Sequence, residues 1–299
     1  MKIYNLGSIN IDHVYALDHF VRPGETISCG SLAKFAGGKG YNQSVALARA
    51  GAQTAHIGAV GADGAQLVDA LKRDGADVSR IAVLDGTPTG HAIIQVNPQG
   101  QNCIIIAPGA NAEITDAMVD SALAGAAPGD ILLAQNETSA IARAMRAAKG
   151  RGMKIALNPA PMNERVHALP LELVDILIVN EIEGAELSAT PAAAPPAEAL
   201  DALRARFPSA TIVLTLGKDG VVAAAPGAAP VSHGIYSVRV VDSTAAGDCF
   251  AGYLLASLAA GAPLAEALRV ASIASSISVS RAGASPSIPT LAEVKSFAI

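Results

Sequence analysis

The sequence predicts an α/β protein built on a doubly wound, largely parallel sheet. Three observations predict it. First, 299 residues with 51% hydrophobic content suffice to bury a large core without disulfide or metal staples. Second, short unbroken apolar runs alternate with helical segments after about residue 128. The runs at 131–134, 155–157, 176–179 and 212–214 suit parallel strands covered on both faces. Third, a polar residue or pair follows these runs: Gln135 and Asn136, Asn158, Asn180, Thr215. Open α/β sheets bind ligands beyond the carboxyl ends of their strands. A strand ending in ordinary turn residues explains any one of these positions equally well. Their recurrence, with Glu137 and Glu183 close by, points to a site.

The remaining elements follow in order. The N-terminal third reads as strands at 3–6, 12–17, 26–34 and 54–60. A helix at 41–50 stops at Gly51, and another at 66–74 stops at Gly75. Strands at 91–96 and 102–106 flank the turn Asn97-Pro98-Gln99-Gly100. Helices are expected at 138–149, 181–188 and 197–206, and a Pro/Ala-rich loop at 190–196. A β-like run at 236–241 leads toward a helix at 249–260, closed by Gly261. There is no internal repeat.

Composition excludes several classes. The chain is not disordered, collagenous or a disulfide scaffold. A net charge of -5 gives no long-range positive field for nucleic acid or anionic membranes. With 3% aromatics and no Trp, stacking platforms for single-stranded nucleic acid are scarce. Cys29, Cys103 and Cys249 form no CxxC and read as free thiols of a reducing compartment. Asn5, Asn10, Asp12 and His13 interrupt any signal-peptide core, and no apolar run reaches 18 residues. The expectation is a soluble, cytoplasmic protein.

Four motifs carry chemistry. Asp242-Ser243-Thr244-Ala245-Ala246-Gly247-Asp248 enters a helix. Its small residues allow close backbone approach, and amides at a helix start bind anions. An Asp in a first helical turn also serves as a simple charge device against the dipole. A second Asp six residues earlier favours a role in chemistry. Gly37-Gly38-Lys39-Gly40-Tyr41-Asn42-Gln43 also opens a helix, but lacks the Walker A and dinucleotide spacings; tight turns alone explain most glycine clusters. Asn10 and Asp12 share one strand face and suit adjacent hydroxyls of a polyol, or solvent. Asn180 and Glu183, one helical turn apart, suit a hydrated Mg²⁺, or a plain acidic helix start.

Together these motifs resemble the ribokinase-like family of sugar kinases over nearly the whole chain. The resemblance begins at Gly7-Ser8-Ile9-Asn10-Ile11-Asp12 and Pro23-Gly24-Glu25-Thr26. It continues through the Gly37–Gln43 motif, Asn158-Pro159-Ala160-Pro161 and Asn180-Glu181-Ile182-Glu183. It ends with Thr215-Leu216-Gly217, the Asp242–Asp248 turn, and Arg281-Ala282-Gly283-Ala284 before Pro286-Ser287. The resemblance implies a three-layer α/β/α sandwich with a small β-sheet lid. It implies one catalytic unit over 1–299, with the lid from about 12–36 and 88–107, and a homodimer formed through the lid. The implied reaction is ATP-dependent phosphorylation of D-ribose to D-ribose 5-phosphate; another pentose, a ketohexose or a nucleoside is the alternative acceptor.

The resemblance also implies residue roles. Asn10, Asp12, Gly38, Lys39, Asn42 and Glu137 would hold sugar hydroxyls, under an apolar lid surface of Ala92, Ile94 and Ile106. Asp248 would be the base, and Ala245, Ala246 and Gly247 the anion hole. Thr215, Leu216, Gly217, Lys218, Asp219, Gly220 and Ser272 would line the nucleotide site. Asn180 and Glu183 would lie near Mg²⁺ and the phosphates. K⁺ would sit behind the anion hole, on the side chains of Asp242 and Ser287 and the carbonyls of Thr244, Ser278, Arg281 and Gly283.

The chain departs from the family at Tyr41, at His91 and Gln95, and at Cys249. Tyr41 sits beside Asn42, where it would suit a base. His91 and Gln95 alternate with Ala92 and Ile94, so they should face away from the sugar. Cys249 reads either as a thiol of lowered pKa at a helix start or as a small packed residue. Two other classes fit less well. An NAD-dependent oxidoreductase requires a GxGxxG after a strand, which is absent. A non-catalytic binding protein predicts a broken constellation, whereas Asp248 and its neighbours are present.

Overall fold

The computed structural model describes residues 1–191 and 193–297. Its elements are β1 (Lys2–Leu6), β2 (Asn10–Ala16), β3 (Ser31–Gly37), α1 (Lys39–Arg49), β4 (Gln53–Gly61), α2 (Ala65–Arg73), β5 (Asp77–Leu84), β6 (Gly90–Val96) and β7 (Asn102–Ala107). They continue with α3 (Asp116–Ala122), β8 (Ile131–Gln135), α4 (Ile141–Gly150), β9 (Lys154–Asn158), α5 (Glu164–His167), β10 (Ile176–Asn180) and α6 (Glu181–Ser188). The last are α7 (Pro196–Arg206), β11 (Thr211–Thr215), β12 (Val221–Ala224), β13 (Val231–His233), α8 (Ala246–Ala259), α9 (Leu264–Val279) and α10 (Leu291–Lys295). The expected loop at 190–196 includes Ala192, and the expected catalytic unit includes residues 298 and 299; these three lie outside the described residues.

A nine-stranded sheet runs in the order β13-β12-β11-β10-β9-β8-β1-β4-β5. It is parallel except at β12 and β13. The unbroken apolar runs now have their explanation. Leu132, Leu177 and Val179 face one core with Met145, Leu187 and Leu203. Ile131, Leu133, Ile176 and Ile178 face a second core with Val45, Leu254 and Leu268. A strand buried on both faces cannot alternate apolar with polar residues. Helices on both sides complete the three layers. A second, four-stranded sheet, β3-β2-β6-β7, is built from segments between β1 and α3. No helix among the described residues is long and apolar enough to cross a membrane.

Three element expectations need correction. The strand expected at 26–34 is β3, starting at Ser31. Its partner β2 ends at Ala16, which pairs with Ser31, and the Gly30 N–H caps that pairing on the Ala16 carbonyl. Residues 26–29 have no strand to pair with. The run at 236–241 is not a strand. Val240 and Val241 are exposed, and the backbone next bonds at the end of α9, where Val241 and Asp242 donate to the Val279 carbonyl. The helix expected from 138 begins at Ile141, because Ala140 stands in the left-handed region at φ 57°. The sequence pattern also does not announce α9. Ala and Ser occupy half of its positions, leaving no clear polar stripe to read.

Helix α8 packs on α1 at very short range. A Cβ built on Gly252 would lie 2.4 Å from the Ala46 Cβ and 3.0 Å from the Leu47 N. Neither helix can yield without moving the site its N-terminus carries. Gly252→Ala is therefore expected to destabilise by about 1–3 kcal/mol, the usual cost of overpacking a filled core. Thermal or urea unfolding checks this; unchanged stability contradicts the packing.

Candidate active site

The first turns of α1 and α8 meet beyond the carboxyl ends of the central strands. Gly40, in α1, touches the turn after β1: a Cβ there would fall 2.3 Å from the Gly7 Cα. This contact explains the small residues of both motifs. Asp248 is buried in the first turn of α8. Asn42 Nδ2 donates to its Oδ2 at 3.1 Å and Gln43 Nε2 to its Oδ1 at 2.9 Å. Burial raises the Asp248 carboxyl above the ordinary range, while Lys39 and the two amides pull toward the anion. The Lys39 ammonium is in turn held protonated chiefly by Asp248. Glu137 braces the turn, accepting from the Ser8 hydroxyl and the Lys39 N–H.

The small sheet brings further polar groups toward α1. Asn10 is buried, and its Oδ1 accepts from Asn111 Nδ2 at 2.8 Å. Asp12 lies two residues on, paired with Phe35 and Ala92. Its carboxylate lies directly over Gly37, where a Cβ would sit 2.0 Å from Asp12 Oδ2 and force that side chain to move. Burial, reinforced by Glu137, pushes the Asp12 carboxyl up to about 7. Ala92 pairs with Ile106, so Ala92, Ile94 and Ile106 share the Asp12 face. Ala92 is buried and Ile106 is 51% exposed. Asn42 Oδ1 is buried in this region with no protein partner.

The nucleotide-sized cleft lies on the other side of α8, with a volume of about 540 Å³. Thr215, Gly217, Lys218, Gly220 and Ser272 line it as expected, whereas Leu216 and Asp219 do not. Leu216 instead packs in the core. The sequence reading missed most of its apolar wall: Ile235, Tyr236, Val238, Val240, Phe250 and Val279. The unpaired run 236–241 is apolar because it faces this cleft, a signal that resembles a strand. A smaller cleft of about 230 Å³ is lined by Lys39, Asn180, Glu183, Gly247 and Asp248, so the two sides meet at the base of α8.

The anion-hole expectation also changes in detail. Ala245 caps α8 in the left-handed region at φ 60°, which aims the following amides along the helix axis. Ala246 N–H is spent on the Ser243 carbonyl at 3.2 Å. The N–H groups of Gly247 and Asp248 have no acceptor among the described residues and remain free for an anion. Cys249 is fully buried, and burial pushes its thiol well above the ordinary range, so it packs rather than reacts. Tyr41 is buried in the core at 2% exposure and offers no wall to a base. His91 stacks edge-on with His13, and Gln95 accepts from the Val21 N–H, both on the face away from Asp12.

Asn180 and Glu183 form a reciprocal helix cap: each side chain accepts the other's N–H, at 2.9 and 3.0 Å. Burial raises the Glu183 carboxyl, partly offset by Asn180 and Lys39. No cluster of three acidic, His or Cys side chains occurs among the described residues. That donor set fits a Mg²⁺ that keeps its waters rather than an all-protein cage. Asp242 ties two loops together, accepting from the Thr244 N–H and hydroxyl and from the Gly283 N–H. Burial pushes the Asp242 carboxyl up, but these donors outweigh it and hold it below its ordinary range. Ser278 and Ser287 hydroxyls bond at 2.7 Å nearby in sequence to that junction, and Arg281 donates to Glu293. Asp242, Ser278 and Ser287 offer hard oxygens, the donor type that suits a monovalent cation.

A three-layer sandwich with a buried carboxylate at a helix N-terminus, in a small polar cleft that adjoins a larger apolar one, suits a phosphotransferase with a hydroxyl acceptor. The chain belongs to the pfkB family of carbohydrate kinases, whose model matches residues 2–291. It is 38% identical to the ribokinase of Haemophilus influenzae over 98% of this chain and 96% of that one. Among solved structures it resembles the Cryptococcus neoformans ribokinase in complex with ADP, with a TM-score of 0.88, 34% identity, and 98% of each chain covered. It also resembles the Arabidopsis thaliana ribokinase complexed with ribose and ATP, with a TM-score of 0.86, 28% identity, and 99% of each chain covered.

The Asp12 environment yields a direct expectation. An NMR titration of the ligand-free protein should show the Asp12 carboxyl titrating near 7. Glu137→Gln should lower that midpoint by removing the facing charge. A midpoint in the ordinary carboxylate range contradicts the burial described above.

Proposed function

We propose that this protein transfers the γ-phosphoryl group of ATP to the primary hydroxyl of D-ribose, giving D-ribose 5-phosphate and ADP. The observation that carries the reading is the convergence on Asp248. Its carboxylate meets the Lys39 ammonium, the polyol-side amide of Asn42 and the free amides of α8 at one point. The full-length similarity to ribokinases supports ribose as the acceptor. A nucleoside acceptor loses its support, because Tyr41 is buried in the core.

In this reading Asn10, Asp12, Gly38, Lys39, Asn42 and Glu137 bind the sugar hydroxyls. The unpartnered Asn42 Oδ1 is an acceptor awaiting such a hydroxyl. The small sheet, within about 12–36 and 88–107, is the lid; Ala92, Ile94 and Ile106 exclude water from the sugar. Asp248 takes the proton of the primary hydroxyl as its oxygen attacks phosphorus. The free Gly247 and Asp248 amides stabilise the charge on the transferring group, each worth about 2.7–4 kcal/mol in comparable oxyanion sites. Asn180 and Glu183 would hold Mg²⁺ through its waters, and when bound that ion neutralises phosphate charge. The Asp242 junction, with Thr244, Ser278, Arg281, Gly283 and Ser287, would hold K⁺, which adds positive field behind the α8 turn.

A homodimer through the lids belongs to the same proposal. Leu32 and Ile105, both at least 40% exposed, lie on the face of the small sheet turned away from Asp12, an apolar surface that a second copy would cover. Cytoplasmic residence is supported by Cys29 and Cys103, which are exposed and unpaired.

The test is coupled ADP release with Mg-ATP and a panel of free sugars and nucleosides, with and without K⁺. Ribose-dependent turnover stimulated by K⁺ is expected; turnover with another acceptor alone overturns the ribose assignment. Asp248→Asn should lose turnover by about 10²–10⁴-fold, the range for a general base, while its circular dichroism is unchanged. Full activity in that variant sinks the mechanism. Sedimentation should give a dimer that Ile105→Asp dissociates, and a wild-type monomer would overturn the lid interface.

A further inference from the structure

We propose that Gln43 is the positioning residue of Asp248, holding its carboxylate through an amide whose orientation is set at both ends by backbone carbonyls. The inference rests on Asp248 being the base. Gln43 closes the glycine motif, is fully buried, and has no atom left to touch a sugar. It differs in this from Asn42, whose Oδ1 stays free.

The orientation follows from donor bookkeeping. The Gly40 carbonyl can only accept, so Asn5 presents its NH2 there, at 2.8 Å. Asn5 Oδ1 is left as an acceptor and takes Gln135 Nε2 at 2.9 Å. The same Nε2 donates to Gln43 Oε1 at 2.7 Å. Gln43 therefore turns its own NH2 outward, to Asp248 Oδ1 at 2.9 Å and Asn158 Oδ1 at 3.0 Å. Asn158 accepts because its NH2 is committed to the Ile178 carbonyl at 3.0 Å.

A side branch has the same sense. Ser44 Oγ accepts from Asn5 Nδ2 and donates its hydroxyl hydrogen to His56 Nδ1, both at 2.8 Å. His56 Nε2 then donates to the Gly7 carbonyl at 3.1 Å. That assignment requires a neutral imidazole, and full burial pushes the His56 pKa down to about 4. Turning any one amide would set donor against donor or acceptor against acceptor inside the protein. The network thus presents an N–H to the base.

The charged groups facing Asp248 are Lys39 on α1, Glu137 after β8 and Glu183 on α6, with the Cys249 thiol beside it on α8. All remain when Gln43 is changed. Gln43→Met keeps the volume and removes the donor. Expected is a loss in kcat of about tenfold to a hundredfold, the range for a hydrogen bond to a charged group. The KM for ribose should stay within about twofold, since Gln43 does not reach the sugar. The lost donor favours the protonated carboxyl, so the acid limb of kcat/KM should move to higher pH, by about one unit for a tenfold weaker anion.

Gln43→Leu supplies the second variant. It likewise offers Asp248 no N–H and adds no charge to the site, so movement of the acid limb reports the lost donor. The acid limb should move in the same direction as in Gln43→Met. If Gln43→Met fails to fold, the pH profile of Gln43→Leu decides. Wild-type kcat and pH profile in either folded variant, beside an inactive Asp248→Asn, overturn the positioning role and leave the base intact. A lower Tm with an unmoved acid limb assigns Gln43 to packing and also overturns it. An active Asp248→Asn instead overturns the base itself.

Discussion

A carboxylate taken out of water must be met by donors and positive charge, and the whole site is arranged around that constraint at Asp248. Burial alone favours the neutral acid. The opposing groups all come from α1: the Lys39 ammonium, and the amides of Asn42 and Gln43. The two helices therefore cannot be placed independently. Their closest contact, Gly252 against Ala46, lies one turn below the site and sets the spacing. The Gly7–Gly40 contact sets the other coordinate by pressing α1 onto the end of β1.

In the proposed reading the same geometry lets two substrates reach one carboxylate. The sugar would lie at β2 and the start of α1. The nucleotide would lie in the cleft formed by β11, the run after β13, and the helices α8 and α9. The first turn of α8 lines that cleft and the smaller one around Asp248. Ala245 is held in the left-handed region there, a strained state for a residue with a side chain, at a cost of order 1–3 kcal/mol. The strain sits where the phosphoryl group would pass, which leaves the Gly247 and Asp248 amides unpaired.

Much of this was legible in the sequence, for physical reasons. Buried parallel strands announce themselves through unbroken apolar runs, so β8 to β11 were readable. Polar residues at their ends marked the correct edge of the sheet, and Asp248, Lys39, Asn42 and Glu183 do lie together. The apolar cleft wall at 235–240 was misread because a ligand-facing run and a strand share one composition. Leu216 and Asp219 were misplaced because adjacent residues in a tight turn point in different directions. Ala246 differs from its neighbours only in having its N–H spent on a turn, which no residue type encodes. Asn111 and Asn5 left no signal: each is an isolated amide in sequence, and its role exists only through partners about 100 and 35 residues away. Gln135 was marked as a strand-end polar residue, but its partner Asn5, 130 residues away, was not.

The most direct measurement is a crystal structure with D-ribose and a non-hydrolysable ATP analogue bound. With Asp248 as base, one of its carboxylate oxygens will lie about 2.6–3.2 Å from the primary hydroxyl, with that hydroxyl in line with the γ-phosphorus. A primary hydroxyl outside hydrogen-bond reach of Asp248, with the phosphoryl group directed at another oxygen of the sugar, would contradict it.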